Sequence, residues 1–300
     1  MKVKRALVIG SSTSGLQEAI KDAEAWKGFL EAPGRWTWEQ DGNTILPNMI
    51  WLPIRGADNQ PISPYEVHYI MNECVSIEEI ETHIGWLQKA DDRVFITSNH
   101  GFRLMHKGKP LSGFYFGKNC VYTFGCLQEK VFRYLEGSGR LLRIHDMCFA
   151  GGAKKIKVNS MAAEYYLLHP IPSFLDPTIK GFEITPDEIQ SKYVKDETPQ
   201  GRDTVAIVAA KRKEPAYGMV MGGSGSHNSF STEWQSLFTH AMLSAIRRLM
   251  PAGVNLQVQG INAIVSLANT RCNMIKYCNK GNVKVPTASV KGKNQLLFTN

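Results

Sequence analysis

Short apolar runs of strand length alternate with stretches of helical periodicity along the chain, and this alternation limits the fold more than any other feature. Arg5 to Gly10 is an apolar run that ends in Gly10-Ser11-Ser12-Thr13-Ser14-Gly15. Leu16, Ile20, Ala23, Phe29 and Leu30 then recur at roughly helical spacing. Met49 to Ile54 reads as a second strand, and Ile77, Ile80, Ile84 and Leu87 mark a second helix. Val94 to Ser98 is a third strand and Leu141 to His145 a fourth, with an aromatic hairpin over Leu111 to Gly125 and a short helix over Leu127 to Leu135 between them. A helix near Met161 to Leu168 follows, then a fifth strand over Thr204 to Ala210, helices over Glu233 to Met250 and Ile261 to Ile275, and a closing strand or hairpin over Val285 to Phe298. Strands separated by helices predict an α/β fold: a mostly parallel central sheet of about six strands, covered by helices on both faces.

With 43% hydrophobic and 21% charged residues over 300 positions, the composition is that of a folded globule. No apolar run approaches the roughly 20 residues that cross a bilayer. The N-terminal run is too short for a secretory signal, so the expected location is the cytoplasm. The six cysteines at 74, 120, 126, 148, 272 and 278 contain no C-x-x-C pair, which argues against a zinc ribbon or a thioredoxin-type motif. They read mostly as reduced core thiols, and neither metal nor cofactor is expected.

Reacting groups in an open parallel sheet collect at the carboxyl ends of its strands. The third strand runs into His100-Gly101 and the fourth into Asp146-Met147-Cys148. If these strands are neighbours, an imidazole and a thiol share one crevice, where the thiol can ionise and attack and the imidazole can protonate a leaving amine. Backbone N–H groups of Gly101 and Cys148 would hold the developing oxyanion. His106 and His145 read as bystanders. Gly222-Gly223-Ser224-Gly225-Ser226 lacks the G-K-[ST] ending of a phosphate loop and reads as a loop beside the cleft.

Ser98-Asn99-His100-Gly101 resembles the S-G-H-G box, and Asp146-Met147-Cys148-Phe149-Ala150-Gly151 the D-x-C-x-S/A-G box, of caspase-like cysteine peptidases, with most likeness to metacaspases and bacterial caspase-like proteins. Leu16, Asp22 and Ala23 are similar to the family's opening motif, Ala209 to Gly218 to its cleft-lining strand, Phe238-Thr239-His240-Ala241-Met242-Leu243 to its F-T-x-A-L-L helix, and Val285 to Phe298 to its closing segment. The resemblance implies a caspase-like three-layer sandwich over 1–300. Residues 1–175 would form a large-subunit-like part holding the dyad, 176–203 an exposed linker, and 204–300 a small-subunit-like part. It implies Cys148 as nucleophile, His100 as general acid/base, and Gly101 with Cys148 as oxyanion donors. Asp146 stands where caspases carry Gln, so the pocket, lined also by Ser98, Ala209 and Ala210, is expected to take protein substrates with Arg or Lys at the cleavage site. Asn99 replaces the usual Gly, and no acidic calcium cluster is found, so calcium activation is not expected. Lys180, Lys192, Lys195 and Arg202 are candidate self-cleavage points, and an uncut loop fits equally well.

From Trp234 to Asn300 there is no acidic residue, while Arg247, Arg248, Arg271, Lys276, Lys280, Lys284, Lys291 and Lys293 add eight positive charges. The other 27 basic residues balance 27 acids, so the whole net charge of +8 lies here. Such a surface attracts anions such as nucleotides, nucleic acid or an acidic protein face, and gives an anionic, nucleotide-like activator somewhere to bind. A solubilising surface with no partner stands beside that reading, and nucleic acid is not expected because no aromatic stacking motif accompanies the charges. Two functions are therefore carried forward. One is a regulated effector endopeptidase of the bacterial stress or antiphage-defence type. The other is a catalytically silent scaffold binding an anionic effector through its basic C-terminal third.

Overall fold

Strand β1 (Lys4–Ser11) sends its side chains alternately into two separate cores. Ala6 and Val8 join Ala23, Trp26, Phe29 and Leu30 on one face, and Leu7 and Ile9 join Ile77, Ile80, Ile84 and Leu87 on the other. A strand buried on both faces requires a nearly continuous apolar run. The computed structural model describes residues 2–41, 44–53, 60–136, 139–148, 178–179, 181–184, 188–196, 204–210, 216–222, 232–249, 274 and 288–291.

Helix α1 (Gln17–Glu31) follows, packed so closely that a Cβ on Gly10 would lie 2.5 Å from the Ala19 carbonyl oxygen. The hairpin β2 (Gly34–Asp41) and β3 (Thr44–Pro53) comes next, then β4 (Glu66–Asn72). Helix α2 (Ile77–Gln88) is capped by Ser76, whose hydroxyl accepts the Glu79 N–H at 3.0 Å in an S-x-x-E box. β5 (Asp92–Ser98) leads into an antiparallel meander of β6 (His100–His106), β7 (Lys109–Tyr115) and β8 (Val121–Thr123). Helical turns over Phe124–Leu127 and Arg133–Leu135 flank a wider turn at Gln128–Phe132, and β9 (Arg140–Asp146) follows. The later elements are β10 (Thr178–Ile179), β11 (Gly181–Glu183), β12 (Thr204–Val208), β13 (Tyr217–Gly222), β14 (Thr232–Ser236), helix α3 (Leu237–Leu249) and β15 (Ser289–Lys291).

Among the described residues the central sheet has six strands in the order β15-β12-β9-β5-β1-β4, all parallel except β15. Residues of α1 and α3 fill one face and those of α2 and the β6–β8 meander the other, so the expected three-layer α/β sandwich is the one formed. No described helix is long and apolar enough to cross a membrane.

Several local expectations are corrected. Of the expected strand Met49 to Ile54, Met49 to Pro53 does not enter the central sheet: it belongs to β3, paired with β2, and the second sheet strand is β4, while Ile54 lies outside the described residues. Helix α3 starts at Leu237 rather than Glu233, because Thr232–Ser236 pairs with β13 and Asp22 then captures the Ser236 N–H at 2.8 Å. The 176–203 segment is not simply an exposed linker. β11 pairs with β6, Ile184, Ile189 and Tyr193 are buried, and the Thr123 hydroxyl donates to the Tyr193 carbonyl at 3.1 Å. Lys192 and Lys195 remain exposed on this strap, whereas Lys180 and Arg202 lie outside the described residues. The expected helices over Met161 to Leu168 and Ile261 to Ile275, and Gly223 to Ser226, also lie outside them, apart from Met274.

Candidate active site

β5, β9 and β12 lie side by side and end together. Ser98 stands opposite Asp146, Thr97 and Val208 stand opposite His145, and the Ala209 N–H donates to the His145 carbonyl at 3.0 Å. Beyond β5 the chain turns at Asn99, whose N–H reaches the Asp146 carbonyl at 3.4 Å and whose side-chain amide donates to the His100 carbonyl at 2.6 Å. Asn99 thus ties the turn down by its own side chain. The turn delivers His100-Gly101 directly onto Cys148: a Cβ on Gly101 would fall 1.7 Å from the Cys148 carbonyl oxygen. Only glycine permits that approach. The two strand-end motifs therefore meet backbone to backbone.

Cys148 and His100 are 3% and 5% exposed. The Cys148 sulfur accepts the Ala216 N–H at 3.0 Å, and its S–H reaches the Ala216 carbonyl at 3.7 Å. Ala209, Ala210, Ala216 and Leu237 share the apolar cluster around it. The thiol is thus covered by the backbone just before β13.

Beneath this point lie two buried carboxylates. Asp146 Oδ2 accepts the Thr239 hydroxyl at 2.6 Å and the Thr239 N–H at 3.1 Å. Trp26 Nε1 donates to the same hydroxyl at 3.3 Å. Asp22, on α1, accepts Ser98 Oγ at 2.6 Å together with the N–H and hydroxyl of Ser236. Both acids therefore bind the start of α3, where the helix dipole favours negative charge. Strand-end reasoning named Ser98 and Asp146 but not Asp22, which binds both Ser98 and Ser236. Its signal was an acid on the apolar face of a helix, between Ala19, Ala23 and Trp26.

His145 is a structural side chain on the other face. Its Nδ1 pairs with Thr97 Oγ1 at 3.0 Å, its Nε2 accepts from Arg143 Nε at 3.2 Å, and Phe95, Phe114, Phe124 and Phe132 ring it. His106 ends β6 rather than lying in the following turn. The side chains of the C-terminal basic residues lie outside those described.

No protein-family model matches the chain, and no curated protein matches it. Among solved structures, it is similar to protein GSU0716 from Geobacter sulfurreducens, with a TM-score of 0.56 and 13% identity over 99% of this chain and 98% of that one. It is also similar to caspase-1 from Spodoptera frugiperda, with a TM-score of 0.49 and 9% identity over 99% of this chain and 92% of that one. At 13% identity, what the chain shares with GSU0716 is the fold.

Proposed function

We propose that the chain is a caspase-like cysteine endopeptidase of metacaspase type that cuts proteins after Arg or Lys. The observation that supports this reading is the seating of Gly101 against the Cys148 backbone at the ends of β5 and β9, next in sequence to His100. The Cys148 thiolate attacks the scissile carbonyl carbon, and the N–H groups of Gly101 and Cys148 hold the oxyanion. Collapse to a thioester breaks the C–N bond as His100 protonates the departing amine. Water then attacks the thioester, His100 takes its proton, and the thiol is released. Asp146, and Asp22 with Ser98 bound to it, give the pocket beside Ala209 and Ala210 a negative floor that suits guanidinium or ammonium. One unit over 1–300 would carry the dyad in 1–175 and complete the cleft from 204–300.

The covering of the Cys148 sulfur by Ala216 supports a regulated enzyme, in which substrate or an anionic activator on the basic C-terminal third displaces that backbone before attack. A bacterial stress or antiphage-defence effector in the cytoplasm fits such a device. The same burial favours the second reading, a silent scaffold that binds an anionic effector. Fluorogenic peptides ending in Arg, Lys or Asp discriminate between them. The expected result is turnover of Arg and Lys substrates only, falling on the order of a thousandfold or more in Cys148→Ala and in His100→Ala. Activity that survives Cys148→Ala, or a preference for Asp, rejects the protease proposal. A peptide warhead that leaves Cys148 unlabelled even with anionic nucleotides present supports the scaffold.

A further inference from the structure

The cysteines do not all behave as core thiols. Cys126 and Cys148 are buried, but Cys74 is exposed and Cys120 half-buried, and their sulfurs lie 2.9 Å apart. Cys74 sits in the turn between β4 and α2, and Cys120 ends the turn between β7 and β8. Hydrogen bonds hold the backbone on both sides: Val75 N–H to the Phe116 carbonyl at 3.1 Å, Phe116 N–H to the Cys120 carbonyl at 2.9 Å, and Cys120 N–H to the Gly117 carbonyl at 2.9 Å. Ser11 Oγ donates to the carbonyls of Glu73 and Phe116, tying both turns to the end of β1. Gly117 leaves the room this needs, since a Cβ there would lie 2.6 Å from the Cys74 sulfur. A disulfide needs the sulfurs at about 2.05 Å, so about 0.9 Å of closure would join them without moving either turn far.

We propose that Cys74 and Cys120 form a peroxide-responsive dithiol that closes reversibly to a disulfide, independently of any proteolytic chemistry. Cys74, facing solvent, attacks hydrogen peroxide: its sulfur gains one oxygen as a sulfenic acid, the O–O bond breaks, and water leaves. The Cys120 sulfur then attacks the Cys74 sulfur, the S–S bond forms, and the displaced hydroxide takes the Cys120 proton as a second water. Two thiols and one peroxide thus give one disulfide and two waters. The order of roles follows from the environments. Burial first, and the adjacent Cys74 thiol second, push the Cys120 thiol up to about 12, so it stays protonated and unreactive until its neighbour is oxidised. The staple would span 46 positions, enclosing α2, β5, β6 and β7. Tyr115, which pairs with His100, directly precedes Phe116 of the same turn.

The test uses the full chain, reduced, desalted, treated with stoichiometric hydrogen peroxide and mapped by mass spectrometry with and without dithiothreitol. The expected result is a peptide joining Cys74 to Cys120, with the loss of two hydrogens, reversed by reductant. Tm should rise by a few degrees on oxidation, and the rise should vanish in Cys74→Ser. In Cys120→Ser, Cys74 should stall as a sulfenic acid trapped by a 1,3-dione probe. Cys74 driven to sulfinic acid while Cys120 stays alkylatable overturns the proposal, as does a bridge from Cys74 to another cysteine or no reaction at all. Cys74 is exposed, so its serine variant keeps the test decisive if Cys120→Ser does not fold.

Discussion

Glycine 101 shows how much chemistry can rest on one absent atom. A methyl group placed there would overlap the Cys148 carbonyl oxygen at 1.7 Å, so Gly101→Ala must push the β6 start away from the chain after β9. The expected outcome is a loss of about 1–3 kcal/mol of stability. Labelling of Cys148 by a thiol-reactive peptide should fall on the order of a hundredfold, because sub-ångström placement of reacting groups governs rate. Gly85→Ala is the control: on α2, with nothing within 4 Å of the added Cβ, it should stabilise the protein by up to about 1 kcal/mol and leave labelling unchanged. Equal effects at both positions would remove the special standing of Gly101. At this scale much of the candidate site was legible, because Ser98, His100, Gly101, Asp146 and Cys148 each stand at a strand end that the apolar runs mark. Asp22 was not, because it reaches Ser98 and Ser236 from α1 through contacts that no local pattern encodes, and Ala216, though within the Ala209 to Gly218 segment, gave no sign that its backbone covers the thiol.

Between elements, the docking of α2 on β4 carries a proton-sensitive seam. His68 and His83 meet Nδ1 to Nδ1 at 3.0 Å, and His68 stacks on Trp86 with ring centroids 3.6 Å apart. One nitrogen must donate and the other accept, so full protonation of both rings sets two donors against each other. Burial first, and the charge of His68 second, hold His83 below its ordinary value of 6.5, while Glu79 pulls it up. Since the folded His83 takes up its proton at lower pH than the unfolded chain does, stability is lost as pH falls from 6.5 through that lowered value. Urea unfolding measured between about pH 7 and about pH 5 should show this loss, and His83→Gln should flatten it. A slope that His83→Gln leaves intact would place the titration elsewhere. The seam also explains why β4 escaped sequence reading. Glu66, His68 and Asn72 break its apolar run because it is an edge strand, whereas the more apolar Met49 to Pro53 run pairs in a hairpin outside the sheet.

For the whole molecule, the layer architecture was legible because β1, β5 and β9 are apolar on both faces. Strand order was not, since it depends on which strand lies beside β1. That order separates the sheet into two ends. At the carboxyl ends sits the candidate site; about 20 Å away, at the amino ends, sits an ion pair. Arg140 Nε and Nη2 reach the two oxygens of Asp92 at 3.0 and 2.9 Å, and Tyr65 donates its hydroxyl to Oδ2 at 2.7 Å. Asp92 is 3% exposed and Arg140 16%. Asp92→Ala leaves that guanidinium and the buried Tyr65 hydroxyl without their acceptor and should cost about 3–5 kcal/mol. Replacing the unit by apolar groups, as Asp92→Leu with Arg140→Met and Tyr65→Phe, removes the stranded guanidinium and hydroxyl, leaves Lys4 and Arg93 without the nearby carboxylate, and should recover part of that loss. Below the unfolding temperature, Cys148 should react with a peptide warhead at the same rate in the native chain and both variants, because the pair lies at the opposite end of β5 and β9 from the thiol. A warhead rate that tracks the stability of these variants would mean that the two ends of the sheet are mechanically coupled.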